Sequence, residues 1–187
     1  MCDHVKSTQS CKLSVKYASI ASEISQSRFS KEKVQMEGYF EDWGMGDRYQ
    51  TRQRVVTRTD IDLFTSLTGL QLPLFLNEGY AREAGFKTRL TPGLLILPLA
   101  LGGLYQLGLL DNLIAWAGLD KLKFTAPVYP NDTVRSVVEV IQKKETKKKD
   151  RGLVTLKLII EKGNGEVVSQ GEITFMFRRR QGGGCSP

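Results

Sequence analysis

The feature that most constrains this chain is a nearly unbroken apolar run, LLILPLALGGLYQLGLL, from Leu94 to Leu110. A helix that is apolar on every side must be covered by other parts of the protein or by a membrane. The run contains Pro98, three glycines and Gln106, and it is shorter than the roughly 20 residues that a bilayer requires. It therefore predicts a helix at the centre of a core, with no membrane partner. Thr91 is its expected N-cap and Pro92 its first residue, with a kink at Pro98 unless the regular helix begins later.

Sequence patterns in the C-terminal part of the chain predict the strands of a sheet that would cover such a helix. VRSVVEVIQ, LVTLKLIIE and EVVSQGEITFMF alternate with a period of two, which places one apolar set on each buried face. KGNGE carries the Asn164–Gly165 hairpin signal. An earlier strand is expected in RYQTRQRVVT and a short one from Lys121 to Thr125. The order predicts an α+β fold, in which one antiparallel sheet wraps around a long central helix. The predicted buried residues are Val134, Val138, Val140, Val154, Leu156, Leu158, Ile160, Ile173, Phe175 and Phe177.

Shorter helices are expected between the first strand and the apolar run. Thr59 and Asp62 have the spacing of a capping box, and Gly69 is placed to end the helix that they would begin. NEGYAREAGF has the composition of one or two helical turns that stop at Gly85.

Composition and charge exclude several classes of protein. The 187 residues, 41% of them hydrophobic and 25% charged, suit one globular domain. The net charge of +7 is concentrated in the N-terminal segment, in KKETKKKDR and in Arg178–Arg180. No recognition helix or aromatic stacking pattern accompanies it, so nucleic acid is not an expected partner. The three cysteines and the single His4 lie near the termini, so no metal site, disulfide framework or cofactor is predicted.

The chain divides into three predicted parts. Residues 1–35 are rich in serine and are expected to form a disordered extension, 36–180 form the domain, and 181–187 form a flexible tail. A cytoplasmic location is expected, with mitochondrial targeting by the extension as the alternative.

The stretch TGLQLPLFLNEGYAREAGF, from Thr68 to Phe86, has the glycine, proline and asparagine residues that are typical of a functional loop, but the residues between them are mostly apolar. With its neighbours it resembles the MaoC-type hydratase family, which has the hot-dog fold. The matching segments run in order from Glu41 to Arg180, about three quarters of the chain. They are FEDWGMGD, VVTRTDIDLFTSLTG, P-L…NE-x-YA-x-E-x-GF, RLTPGLL, LDKLKFTAPVYPNDTV and RGLVTLKLIIEKGNGEVVSQGEITF.

The resemblance implies a homodimer and the (R)-specific hydration or dehydration of acyl thioesters on coenzyme A or acyl carrier protein. In such enzymes the loop reads T-G-D-x-N-P-L-H, and its Asp and His handle the water. Here Leu70 stands at the Asp position, Leu72 at the Asn position and Phe75 at the His position. The resemblance therefore implies a protein without the usual catalytic pair, whose apolar replacements line or fill the acyl tunnel. Two hypotheses stay open: an enzyme with an altered site, and a non-catalytic binding, regulatory or structural protein.

Other residues have roles implied by the same resemblance. Gly93 and Leu94 stand where the helix start polarises a thioester carbonyl, although a Pro-Gly helix start needed only for packing is an equal alternative. Candidates for the coenzyme A phosphates are Arg82, Lys87 and Arg89, against a plain surface role for each. Nearby carboxylates that are poor substitutes for the missing acid and base are Asp60, Asp62, Glu78 and Glu83.

Overall fold

The computed structural model describes residues 37–180. The expected disordered extension at 1–35 and the expected tail at 181–187 lie outside these residues. The described elements in chain order are a 3₁₀ turn at Phe40–Asp42, β1 at Arg48–Gln50, β2 at Arg54–Val55, α1 at Arg58–Thr68, α2 at Pro73–Leu76, α3 at Glu78–Glu83, α4 at Gly93–Gln106, β3 at Leu113–Phe124, β4 at Thr133–Glu145, β5 at Arg151–Lys162 and β6 at Val167–Arg178.

The strands form one antiparallel sheet in the order β1-β4-β5-β6-β3, and β2 also pairs with β4. The turn between β5 and β6 uses Gly165 at a φ of 85°, a conformation that glycine adopts without steric cost. The antiparallel sheet and the long helix confirm the predicted α+β architecture. β3 lies at one edge of the sheet, and its register against β6 shifts at three places.

The concave face of the sheet holds the core, and the period-two pattern identified that face correctly. Residues Val154, Leu156, Leu158 and Ile160 of β5 have no exposed surface. Helix α4 packs onto this face through Leu95, Ile96, Leu97, Ala100 and Leu104, which are all buried. The helix is not covered on every side, however, because Leu94 and Tyr105 on its outer side are 54% and 63% exposed. One side of the helix therefore packs in the core, and the other side leaves apolar side chains exposed.

Helix α1 begins two residues earlier than the sequence predicts. Thr57 is the N-cap: its hydroxyl accepts from the N–H of Asp60, and the Asp60 carboxylate accepts from the N–H of Thr57. The predicted pair of Thr59 and Asp62 has the same spacing and therefore the same sequence signal. Pairing outside the helix selects Thr57 as the N-cap. The N–H of Val56 donates to the carbonyl of Asp132, and this bond fixes where the chain leaves the strand.

Three other boundaries differ from the sequence prediction. The first strand is interrupted between β1 and β2, where the N–H of Thr51 still donates to the carbonyl of Ser136. Strand β3 spans Leu113–Phe124 rather than Lys121 to Thr125. Helix α4 has Pro92 at the N-cap and Gly93 as its first residue, and it continues through Pro98.

Within residues 37–180, no helix has both the length and the apolar character needed to cross a membrane.

Candidate functional site

The loop that resembles a site is held by caps at each of its turns. Gly69 ends α1 with a φ of 70°, which is the left-handed conformation that favours glycine. Thr68 donates its hydroxyl to the carbonyl of Phe64 at 2.7 Å and accepts from the N–H of Leu70 at 3.4 Å. Pro73 begins α2. The side chain of Asn77 caps α3 by accepting from the N–H of Tyr80 at 3.0 Å. Four of the marker residues, Thr68, Gly69, Pro73 and Asn77, therefore have a structural role in the loop.

The side chains between these caps line a cavity of about 550 Å³ at the start of α4. The cavity brings together five residues that the sequence singled out: Leu70, Leu72, Phe75, Gly93 and Leu94. The remaining wall comes from the segment before α4, from Ile96 and from the end of β3 with the residues that follow. These lining residues are Phe86, Leu90, Thr91, Pro92, Ile96, Phe124, Thr125, Ala126, Pro127 and Val128.

The start of α4 faces this cavity with unpaired backbone donors. The first N–H groups of any helix lack intrahelical partners, and those of Gly93 and Leu94 have no backbone acceptor among the described residues. The segment is anchored by the N–H of Thr91, which donates to the carbonyl of Val128 at 2.8 Å. Because α4 has 14 residues, its dipole places partial positive charge at this end. The arrangement suits a carbonyl oxygen.

Gly93 also has a packing role. A Cβ at this position would lie 2.9 Å from Cε1 of Phe124, closer than the 3.5–4.0 Å at which carbon atoms pack favourably. The absent side chain therefore makes room for the Phe124 ring, which is 48% exposed. Both predicted roles of the Pro-Gly helix start, packing and an open N–H, are compatible with this geometry.

The described lining of the cavity carries no carboxylate and no imidazole. Its only polar side chains are two threonines. Thr125 donates its hydroxyl to the carbonyl of Val167 at 2.7 Å. Thr91 is 6% exposed, and its buried Oγ1 has no hydrogen-bond partner among the described residues. The wall can hold an alkyl group but offers no general acid or base.

The four nearby carboxylates do not line the cavity. Asp60 caps α1 and binds Arg54 at 2.8 Å. Asp62 binds Arg89 at 2.9 Å. Glu78 bridges Arg58 and Arg82 at 2.7 Å and 3.2 Å, and Glu83 lies exposed at the end of α3. Three of the four therefore have structural partners that account for them.

The three basic residues predicted to bind coenzyme A phosphates have different surroundings. Arg89 is 8% exposed and directed at Asp62, so it is part of the fold and is not presented at the cavity mouth. Arg82 is exposed and pairs with Glu78, and Lys87 is exposed. A phosphate role stays a prediction for Arg82 and Lys87.

The second half of the wall was missed by the sequence analysis. Phe124 is the last residue of the edge strand β3, and residues 125–128 follow it. The middle of this strand, AWAGLD, contains alanine and glycine and gives no alternating signal. Phe86 and Leu90 come from the loop before α4. Their only signal was apolar character inside a loop, which is weak evidence of a binding surface.

A second concave region, of about 600 Å³, lies where the chain leaves β6. Three of its four arginines are paired: Arg151 binds Asp150 at 2.7 Å, Arg179 binds Glu41 at 2.9 Å and Glu145 at 3.3 Å, and Arg180 binds Asp42. Burial opposes the charged form of Glu41, but hydrogen bonds from the N–H of Arg180 and the guanidinium of Arg179 outweigh it and lower the pKa of Glu41. This region ties the 3₁₀ turn to the end of β6 and does not present a free cluster of cations.

A sheet wrapped around a helix, with a cavity at the start of that helix, defines the hot-dog class of fold. Residues 43–162 match the MaoC like domain, and this chain belongs to that family. The predicted fold and family are both confirmed.

Named relatives support the same assignment. The chain is 32% identical over 145 residues to the (R)-specific enoyl-CoA hydratase of Rhodospirillum rubrum, a match that covers 76% of this chain and 93% of the relative. It is 32% identical over 113 residues to Protein MaoC of Klebsiella aerogenes, covering 60% of this chain but only 33% of that protein. Among solved structures, a monoamine oxidase regulatory protein of Archaeoglobus fulgidus superimposes with a TM-score of 0.71 at 31% identity, covering 76% of this chain and 95% of the other.

Proposed function

We propose that this chain binds an acyl thioester, carried by coenzyme A or an acyl carrier protein, in the cavity at the start of α4. One observation carries the proposal: Leu70, Leu72 and Phe75 meet Gly93 and Leu94 around a single apolar cavity. The relationship to an enoyl-CoA hydratase supports a thioester as the ligand. The N–H groups of Gly93 and Leu94 would receive the carbonyl oxygen, and the apolar wall would receive the acyl chain.

The same cavity argues against the usual hydratase chemistry. Adding water across a double bond requires a base that activates the water and an acid that protonates carbon. Leucine and phenylalanine at positions 70, 72 and 75 supply neither group, and the described lining provides no substitute. The chain therefore acts by binding. A hydratase with an altered site is the second candidate, favoured by its relatives and opposed by the lining.

The first experiment separates binding from turnover. Purified protein is mixed with crotonyl-CoA and longer enoyl-CoA substrates while the absorbance of the conjugated thioester is followed, and binding of the saturated acyl-CoA is measured by calorimetry. We expect binding without turnover above the buffer rate. Turnover comparable to that of an ordinary hydratase would contradict the non-catalytic assignment, and absence of both signals would remove any thioester role.

A matched pair of variants tests the position of the ligand. Leu94→Asp places a carboxylate beside the proposed carbonyl site, at a helix N-terminus where an acid does not harm folding. We expect at least about tenfold weaker acyl-CoA binding, because the carboxylate competes for the same donors. Leu63→Asp makes the same change at a 66% exposed residue of α1 outside the cavity, and it should leave binding unchanged. Equal effects of the two variants would place the ligand elsewhere.

Restoring the family's polar residues addresses the second candidate. The double variant Leu70→Asp with Phe75→His recreates an acid and an imidazole at positions that line the cavity. Gain of crotonyl-CoA hydration would show that the rest of the site is intact. If the variant folds and binds acyl-CoA but stays inactive, the geometry of the thioester site differs from that of an active enzyme.

We also infer that two copies of the chain pair through β3. This strand is a sheet edge, and it exposes Ile114, Trp116 and Phe124 at 37%, 44% and 48%. Leu94 and Tyr105 on the outer side of α4 are further exposed apolar residues. A long apolar edge strand invites pairing with another strand. Because Phe124 also lines the cavity, a partner at this edge would shield the ligand from water.

Sedimentation velocity tests the pairing. The wild-type chain should sediment as a dimer, and Trp116→Lys should shift it toward the monomer because the lysine would be desolvated at the interface. Tyr80→Lys is the matched control, since Tyr80 is a 51% exposed aromatic residue on α3 and is not part of the edge strand. A monomeric wild-type chain, or equal effects of the two variants, would exclude β3 as the interface.

A further inference from the structure

Like charges face each other at one end of the sheet. Arg151 of β5 and Arg178 of β6 lie directly opposite each other in the strand register, and facing like charges oppose strand pairing. Arg151 is compensated by Asp150, which accepts from its guanidinium at 2.7 Å and 2.9 Å. The Arg178 side chain is exposed and has no ion-pair partner among residues 37–180.

Elsewhere in the sheet, facing charges are compensated. Arg135 on β4 faces Glu161 on β5 and binds it at 2.5 Å. Two acids, Asp120 and Glu172, also face each other, but Lys121 binds Glu172 at 2.8 Å. The uncompensated arginine at the end of β6 departs from this pattern, and a local conflict of this kind is expected where a surface has a function.

The turn between β4 and β5 adds further cations beside Arg178. It carries Lys147, Lys148 and Lys149, which are all exposed, and Lys144 is exposed just before it. None of the four lysines has a carboxylate partner within the described part of the chain. The term basic surface is used below for these six residues: Lys144, Lys147, Lys148, Lys149, Arg151 and Arg178.

Hydrogen bonds hold this turn against the end of β6. The hydroxyl of Thr146 donates to the carbonyls of Lys148 and Arg151 at 2.7 Å and 2.9 Å. The N–H of Arg179 donates to the carbonyl of Asp150 at 2.8 Å. The turn and the end of the strand are therefore presented together, which reduces the entropy that a ligand would lose by ordering them.

The basic surface is separate from the cavity at the start of α4. Phe124, which lines that cavity, pairs with Ser169 near the start of β6. Arg178 is the last residue of the same strand, and at about 3.3 Å per residue it lies about 30 Å farther along. These cations lie too far along the strand to line the cavity of their own chain, so thioester binding there does not account for them.

The arrangement favours an acidic peptide over other anions. A small ion such as phosphate is bound by donors that converge on one point, whereas these cations are spread along a turn and across two strands. Nucleic-acid bases need free aromatic faces for stacking, and the ring of Tyr39 in the adjoining concave region is covered by Arg180 at 5.1 Å. Apolar side chains that insert into a lipid surface are missing from the turn sequence TKKKD at 146–150. An extended peptide repeats its carboxylates on one side about every 7 Å, and arginine binds carboxylates with two parallel hydrogen bonds.

We propose that the basic surface is a docking site for an acidic peptide segment of another protein. A carboxylate bound by Arg178 would relieve the repulsion from Arg151, and the lysines of the turn would bind the neighbouring carboxylates. The fold itself gains nothing from the unpaired arginine, since an acid at that position would pair with Arg151. The inference does not depend on thioester binding.

Fluorescence anisotropy with labelled hexaglutamate, which is about 20 Å long when extended, tests the site on the full chain. Arg178→Glu should weaken binding at least about tenfold, because an acid that repels the peptide replaces a cation that binds it. Arg52→Glu is the matched control. Arg52 is also exposed, has no ion-pair partner among residues 37–180 and lies outside the basic surface, and the two variants have the same net charge. The control should leave the affinity within about twofold.

A second readout separates docking from a structural role. The carboxylate of Arg178→Glu would face Arg151 in register, so the urea midpoint should rise while peptide binding is lost. A lower midpoint would identify Arg178 as a structural residue and contradict the assignment. Lys147→Glu on the exposed turn should weaken peptide binding without any change at Arg178.

Other results would overturn the inference in different ways. If the wild type does not bind hexaglutamate at about 50 mM salt, or if Arg178→Glu and Arg52→Glu weaken binding equally, the basic surface is ordinary solvated charge. Displacement of the peptide by coenzyme A would assign these cations to the phosphates of a thioester ligand. Binding to phosphatidylserine vesicles but not to hexaglutamate would assign them to a membrane. Acyl-CoA binding by Arg178→Glu, measured by calorimetry, should equal that of the wild type, so this inference and the proposed function can fail independently.

Discussion

Replacing the cavity residues by the family's polar pair should cost stability, and the cost can be worked from their burial. Leu70 and Phe75 are partly buried in the cavity wall. Complete burial of such side chains contributes about 1.5–3 kcal/mol each, so partial burial gives roughly half of that. Leu70→Asp combined with Phe75→His should therefore lower the free energy of unfolding by about 1.5–3 kcal/mol. A domain of this size would show this as a fall in Tm of roughly 5–10 °C.

Urea unfolding followed by tryptophan fluorescence measures this loss, since a shift in midpoint at constant slope reports stability alone. The control is the same pair of changes on exposed leucines, Leu63→Asp with Leu67→His, at residues that are 66% and 88% exposed. This control should lose less than about 1 kcal/mol. Equal losses in the two double variants would show that the cavity wall stabilises the fold no more than the surface does. The apolar residues would then need an explanation other than burial.

Three further predictions concern single residues. Gly152→Ala on β5 should cost more than about 2 kcal/mol in urea unfolding, because the new methyl group would overlap the buried ring of Phe40; an unchanged midpoint would contradict that contact. Thr57→Ala should cost about 1 kcal/mol by loss of the N-cap of α1, with Thr57→Ser as the variant that should retain it. Burial opposes the charged form of Glu41, but hydrogen bonds from the N–H of Arg180 and the guanidinium of Arg179 outweigh it and hold the pKa of Glu41 below its ordinary value. Its stabilisation is therefore present above the pKa of the unfolded chain and is lost as pH falls through the folded pKa. Glu41→Gln should therefore be less stable than the wild type by under about 1 kcal/mol at pH 7, and unfolding curves at decreasing pH should converge; a gap that persists in acid would exclude the ion-pair explanation.

The sequence predicts the long strands well because burial imposes a strict period on them. The alternate residues of β5 from Val154 to Ile160 are fully buried, and a shift of one residue would expose all of them. The start of α1 could not be predicted in the same way, since Thr57 and Thr59 each have an aspartate three residues later. A hydrogen bond between Val56 and Asp132, 76 residues apart in the chain, selects the first pair, and local patterns contain no such information.

In the candidate site, too, local sequence patterns predict some residues, and the others depend on contacts between distant parts of the chain. The loop residues Leu70, Leu72 and Phe75 could be located because the Thr-Gly, Pro-Leu and Asn-Glu markers fix their register within the resemblance. Phe124 and the residues after it reach the cavity only through the pairing of β3 with β6.

The capped loop after α1 has a consequence for how this protein can be changed. Its backbone is fixed by Thr68, Gly69, Pro73 and Asn77, and none of these residues lines the cavity. The capping hydrogen bonds thus hold the backbone without using the side chains at positions 70, 72 and 75. Those three positions can be varied together in combinatorial libraries, so that ligand preference changes while the loop keeps its backbone conformation.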